Sequence, residues 1–122
     1  MTERNLTTRE ILQPIFNRLV PSYYNTAPDD CDVPYLVYEI RGVNSEQSFN
    51  QSSLNVSVVG SVDEEEELDY ILDLLEKELN FKQFVTPSIH LRTYVAGDRQ
   101  DVDTGEARLI LKRLNFELRQ IT

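Results

Sequence analysis

Four acids, Asp98, Asp101, Asp103 and Glu106, crowd the segment 97–106, which reads Gly-Asp-Arg-Gln-Asp-Val-Asp-Thr-Gly-Glu. Carboxylates at this density are hard oxygen ligands for calcium or magnesium, and bound magnesium would bring phosphoester hydrolysis within reach. An EF-type calcium loop requires Gly at its sixth position and Glu at its twelfth. Counting from Asp101 puts Glu106 sixth and Lys112 twelfth, and counting from Asp98 puts Gln100 third and Val102 fifth. Neither frame works. A nuclease-like magnesium site would draw its ligands from several strands and stand beside cations that hold phosphate. Here the acids share one loop, and Arg99 is its only internal cation. Asp and Gly are also what hairpin loops use, because they tolerate tight turns and bond their own backbone. The structural reading outweighs the metal one, and neither metal nor cofactor is expected.

Other chemistry is sparse. Cys31 is the single cysteine, which excludes an internal disulfide and a multi-cysteine zinc site, and it reads as a structural thiol in a reducing compartment. His90 is the single histidine and has no Ser or Cys motif beside it. The nucleophile elbow, the phosphate loop and the dinucleotide glycine fingerprint are absent from a chain with only four glycines. A triad of Cys31, His90 and a distant carboxylate is the weakest of these readings. No enzymatic activity is expected.

The 122 residues suit one domain, 1–122, with 40% apolar content typical of a globular protein. The formal charge of −9 argues against a nucleic-acid-binding surface, which needs clustered Lys and Arg. That charge is uneven: 63–69 is strongly acidic, whereas Arg108, Lys112, Arg113 and Arg119 make the end of the chain basic. An acidic face including Asp63, Glu64 and Glu65 could meet a basic face with Arg108, Lys112 and Arg113 on another subunit. A solvated surface explains the same charges equally well. The N-terminus opens no apolar run, and no stretch approaches the roughly 18 apolar residues of a membrane span. A soluble protein made in the cytoplasm is the expectation.

Thr7 and Glu10 have capping-box spacing, and Ile11, Leu12, Ile15, Phe16 and Leu19 follow at helical intervals, interrupted by Pro14 and closed by Pro21. A turn-rich stretch, 22–33, reads as a loop, with Tyr23 and Tyr24 pinning its start. In 34–41, Leu36, Tyr38 and Ile40 alternate with Val37, Glu39 and Arg41, a strand. A polar turn with Asn44 and Glu46 leads to a second strand, where Leu54, Val56, Val58 and Val62 share one face. Asp63 should cap a second helix, with 64–67 in its first turn and Leu68, Ile71, Leu72, Leu75 and Leu79 as its apolar stripe. Phe81, Phe84 and Val85 should tuck the exit loop onto the core. Ile89, Leu91, Thr93 and Val95 mark a third strand. In the last segment Leu109 and Leu111 fall on one phase and Leu114, Phe116 and Leu118 on the other, which suggests a β-bulge near Lys112 and Arg113. A helix there is the alternative. The summed order is α-β-β-α-β-β: an α+β domain with a mainly antiparallel four-stranded sheet and the helices on one face.

With the elements placed, the chain resembles the tail terminator (tail completion) proteins of long-tailed bacteriophages, the lambda-type group. The likeness lies in element order, in Val33-Pro34-Tyr35-Leu36-Val37-Tyr38 after a Pro-containing loop, in the second strand running straight into an acid-capped helix, and in a final hairpin where Asp103-Thr104-Gly105 precedes Arg108-Leu109-Ile110-Leu111. It spans nearly the whole chain. The resemblance implies a structural virion protein: a homohexameric ring at the tail–neck junction. Such a ring caps the head-proximal end of the tail tube, stops polymerisation of the tube protein and joins the neck or head-completion protein. DNA would pass through its lumen without specific binding, and no membrane is involved. Partner-contacting residues would lie on loops, at Asp29, Asp30, Asp32, Asn44, Glu46, Asp98, Arg99, Asp101 and Asp103. Rival readings are another neck ring (head-closure or adaptor), a metal-dependent phosphoesterase or nuclease using 98–106, and a regulatory domain binding a small ligand on the open sheet face.

Overall fold

The computed structural model describes residues 2–42, 49–87 and 89–121. Helix α1 spans Thr2–Asn17, followed by β1 (Ser22–Tyr24), β2 (Tyr35–Gly42) and β3 (Phe49–Ser61). A single 3-10 turn, Val62–Glu64, then leads into α2 (Glu65–Leu79), β4 (Lys82–Val85), β5 (His90–Val95), β6 (Gln100–Val102) and β7 (Leu109–Ile121). The sheet has seven strands in the order β1-β2-β3-β7-β5-β4, with β6 also pairing β7. All pairs are antiparallel except β1 with β2.

The mixed α/β composition and mostly antiparallel sheet agree with expectation, but four strands is an undercount, and the order is α-β-β-β-α-β-β-β-β instead of the expected α-β-β-α-β-β. The three additional strands are short. Strand β1 lies in the stretch whose composition predicts a loop, β4 follows α2 after a two-residue turn, and β6 has one apolar residue, Val102, after Gln100 and Asp101. None is long enough to show alternation. Backbone pairing to a neighbour, not side-chain pattern, makes them strands.

The long β3–β7 pair centres the sheet, in register from Phe49 opposite Ile121 to Ser61 opposite Leu109. One face, carrying Leu36, Tyr38, Leu54, Val56, Leu114 and Phe116, is covered by both helices, through Leu12 and Phe16 of α1 and the Leu68, Ile71, Leu72, Leu75 and Leu79 stripe of α2. The Phe16 and Tyr38 rings stand 4.7 Å apart. Gly60 lets α2 approach β3: a Cβ there would stand 3.0 Å from the Leu68 side chain. The opposite face carries Asn55, Ser57, Asn115 and Arg113, and no helix covers it.

Local expectations fail in instructive places. Helix α1 begins at Thr2, so Thr7 is an interior residue and not its cap. Pro14 lies within the helix and is exposed, where its missing donor and bulky ring face solvent. Ser61, not Asp63, stands at the start of the 3-10 turn, and its amide donates to the Glu64 carboxylate at 2.8 Å. That turn swings Val62 off the strand phase to 49% exposure. Phe84 packs against the core, but its neighbour Val85 in the edge strand β4 is 69% exposed, and Phe81, at φ +56° in the turn before β4, is 77% exposed. No bulge interrupts β7, and it is not a helix: its register with β3 is unbroken. The shifted hydrophobic phase has another cause, taken up next.

Candidate functional site

Along β7 the even-numbered side chains face the helices, and between Ile110 and Leu114 that position belongs to Lys112. Leu109 and Leu111 take the open face, which is why the apolar pattern changes phase without any change of register. Only 9% of Lys112 is exposed. Its stem is enclosed while its ammonium reaches Asp69 at 3.0 Å, Asp101 at 3.5 Å and Glu65 at 3.8 Å. Burial alone would lower the pKa of this ammonium, but Asp69, Asp101 and Glu65 outweigh it and raise it above the ordinary lysine value.

A second cation repeats the arrangement. Val95 of β5 lies opposite Phe116 and Gln100 of β6 opposite Arg113, so residues 96–99 must cover only two positions of β7. The surplus is thrown out as a short excursion at Gly97, whose φ of +85° disfavours any side chain. From it Arg99 reaches back to α2, 2.5 Å from Asp73 and 3.2 Å from Glu76. Desolvation acts to lower the pKa of this guanidinium as well, and the two carboxylates more than reverse it. Glu65, Asp69, Asp73 and Glu76 follow at spacings of four, four and three, so they line one flank of α2. Lys112 and Arg99 clamp that flank onto the β5–β6 arm.

The expected 97–106 loop is therefore an excursion at 96–99, the strand β6 and a turn at 103–108. In the turn, Asp103 accepts from the Gly105 amide at 2.9 Å, with Gly105 at φ +79°, and the Thr104 hydroxyl accepts from the Glu106 amide at 3.1 Å. Asp98, Asp103 and Glu106 are exposed, and Asp101 is bound to Lys112. Among the described residues, no three His, Cys, Asp or Glu side chains gather as metal ligands. His90 Nε2 lies 2.9 Å from Gln83 Oε1, and the half-buried Cys31 lies near the Asp32 carbonyl.

The basic residues do not form one patch. Lys112 faces α2 of its own chain, Arg113 lies on the open face with Nε 3.3 Å from Ser57 Oγ, and Arg108 is exposed in the turn before β7. The acid-rich start of α2 is engaged, through Glu65, by Lys112 of the same chain, whereas Asp63 is exposed. Asp29, Asp30 and Asp32 are exposed between β1 and β2. Asn44 and Glu46 lie outside the described residues.

A hollow of about 280 Å³ lies beside Lys112, Glu65 and Asp101, and two larger ones lie elsewhere among the described residues. One of about 500 Å³ on the open face is lined by Tyr35, Glu39, Arg41, Asn55, Ser57 and Arg113. The other, of about 440 Å³, lies between the end of α1, the segment entering β2 and α2, and is lined mainly by apolar side chains including Pro21, Val33, Tyr70 and Leu74. Tyr70, 62% exposed beside this second hollow, is a residue that sequence reasoning does not single out, and Phe81, expected on the core, is exposed instead. Tyr70 is an aromatic flanking the α2 core stripe, a signal legible once the stripe is drawn.

No protein-family model matches the chain, and no curated protein does. One solved structure, whose name states no activity, ligand or partner, superposes with a TM-score of 0.67 over 94% of each chain at 10% sequence identity. That likeness concerns the fold alone. Among the described residues, no helix is long and apolar enough to cross a membrane.

Proposed function

We propose that this chain is a ring-forming tail terminator of a long-tailed bacteriophage, a structural protein of the virion without catalytic function. The observation that carries this reading is the division of charge. Asp101 and the acids along one flank of α2 are committed to Lys112 and Arg99 of the same chain, while exposed apolar and charged side chains collect at separate outer surfaces. A homohexameric ring built head to tail needs two different patches per subunit, and such patches are available. The ring sits at the tail–neck junction, caps the tube protein and joins the neck protein by surface complementarity. A chain of net charge −9 lets DNA pass without adhering. This reading is favoured over a phosphoesterase because the candidate acids of such a site are spread over an excursion, a strand and a turn.

Electron microscopy of the purified protein, with a parallel assay of magnesium-dependent hydrolysis of bis-p-nitrophenyl phosphate, tests it. Six-membered rings without turnover are expected. Turnover that disappears in Asp101→Asn together with Asp103→Asn would overturn the reading.

A further inference from the structure

The chain has three lysines, and they divide sharply. Lys112 is enclosed and paired. Lys77 and Lys82 are exposed, ion-pair with nothing among the described residues, and bracket Phe81 in sequence. Phe81 is the most exposed large apolar side chain described, at 77%, and meets the Tyr94 ring edge-on, with ring centroids 5.5 Å apart. An exposed aromatic with two unpaired lysines and one unpaired acid, Glu78, close to it in the chain is an unusual thing to leave in water.

The apolar hollow beside Tyr70 has the opposite character. Its floor is Pro21, Val33, Pro34, Ile71 and Leu74, and the lining also includes the exposed acids Asp32 and Glu67. Asp29, Asp30 and Glu66, near them in the chain, are exposed too, and none of these five acids ion-pairs among the described residues. The hollow borders α2 from Glu67 to Leu74, whereas Phe81 stands two residues beyond its last residue, Leu79. The two patches are therefore different surfaces associated with opposite ends of one helix. They are opposite in charge: the projection has two unpaired lysines near it in the chain against one unpaired acid, Glu78, whereas the lining of the apolar hollow carries acids and no cation.

We infer that the Phe81 projection of one copy docks into the Tyr70 hollow of the next, with Lys77 and Lys82 facing Asp32 and Glu67. Aromatic anchors in apolar pockets are where binding energy concentrates, and the surrounding charges set orientation. The contact is heterologous, so it propagates head to tail and closes into a ring or continues as a filament according to its rotation. The inference rests on the ring reading, because it supplies the interface that reading requires.

Mixed cross-linking tests it. In a Cys31→Ser background, Tyr70→Cys and Phe81→Cys are made as separate proteins and oxidised alone and mixed. A disulfide-linked pair should form in the mixture and in neither protein alone. Charge reversal gives an independent readout. Lys82→Glu and Glu67→Lys should each weaken self-association at least tenfold by sedimentation, and the two variants mixed should associate more strongly than either alone. Rings in wild-type micrographs without the mixed disulfide and without that charge rescue would overturn this interface while leaving the ring reading intact. A mixed disulfide that builds open filaments, never closed rings, would keep the interface and overturn the ring.

Discussion

Helix α2 carries two charged flanks that lead opposite lives. On one, Glu65, Asp69, Asp73 and Glu76 are answered by Lys112 and Arg99 of the same chain. On the other, Glu67 shares with Tyr70 and Leu74 a hollow in which no cation stands. Both flanks look alike in sequence, as parts of one acidic helix. The difference shows that acid density does not identify a site; what matters is whether the fold supplies the counter-charge. The paired flank holds the β5–β6 arm in place, and the unpaired one is available to a partner.

The sharpest way to break this comparison is at Lys112. Lys112→Glu would set a fourth carboxylate among three and should cost about 3 kcal/mol or more in urea denaturation. Lys112→Met keeps the enclosed stem and loses only the charge, so about 1 kcal/mol is expected. Equal losses in the two variants would mean that packing, not pairing, explains the residue. Arg99→Ala comes next, at about 1 kcal/mol. Its signature should be faster amide exchange confined to 96–102, with the α2 amides unchanged, since only the excursion depends on that clamp. On the unpaired flank Tyr70→Ser should change stability by no more than about 0.5 kcal/mol while weakening self-association. A large stability loss there would make Tyr70 part of the fold and dissolve the contrast.

The smallest effect concerns pH. The folded-state pKa of Lys112 is raised, so its contribution is fully present below the ordinary lysine value of about 10.4 and is lost as pH climbs through the higher folded value. The stability gap between wild type and Lys112→Met should therefore stay constant from about pH 7 to 10 and narrow above that. A gap that already closes by pH 9 would place the lysine in a different environment.

Much of this organisation is legible in the sequence, and the reasons it fails elsewhere are physical. The α2 stripe and the β2 alternation are strong because many side chains report the same period, and all five predicted stripe residues are buried. Strands β1, β4 and β6 carry three or four residues each, too few for a period, and exist because a neighbouring strand offers its edge. The apparent bulge in β7 was a lysine occupying a core-facing position, a substitution that hydropathy cannot distinguish from a register slip. Sequence reading also brought the acidic start of α2 and the basic last strand together. Their meeting through Glu65 and Lys112 lies within one chain, a distinction that no composition contains. Tyr70 can be placed beside the α2 stripe from sequence, but the hollow next to it cannot, and Phe81, whose hydropathy predicts a core position, is exposed in the turn before β4.

Native mass spectrometry of the purified protein tests most directly the claim that this chain acts by assembling. A dominant species of about 85 kDa, six times the 14.2 kDa chain, is the predicted result. A single-chain mass at every concentration, together with magnesium-dependent phosphodiester hydrolysis, would contradict it.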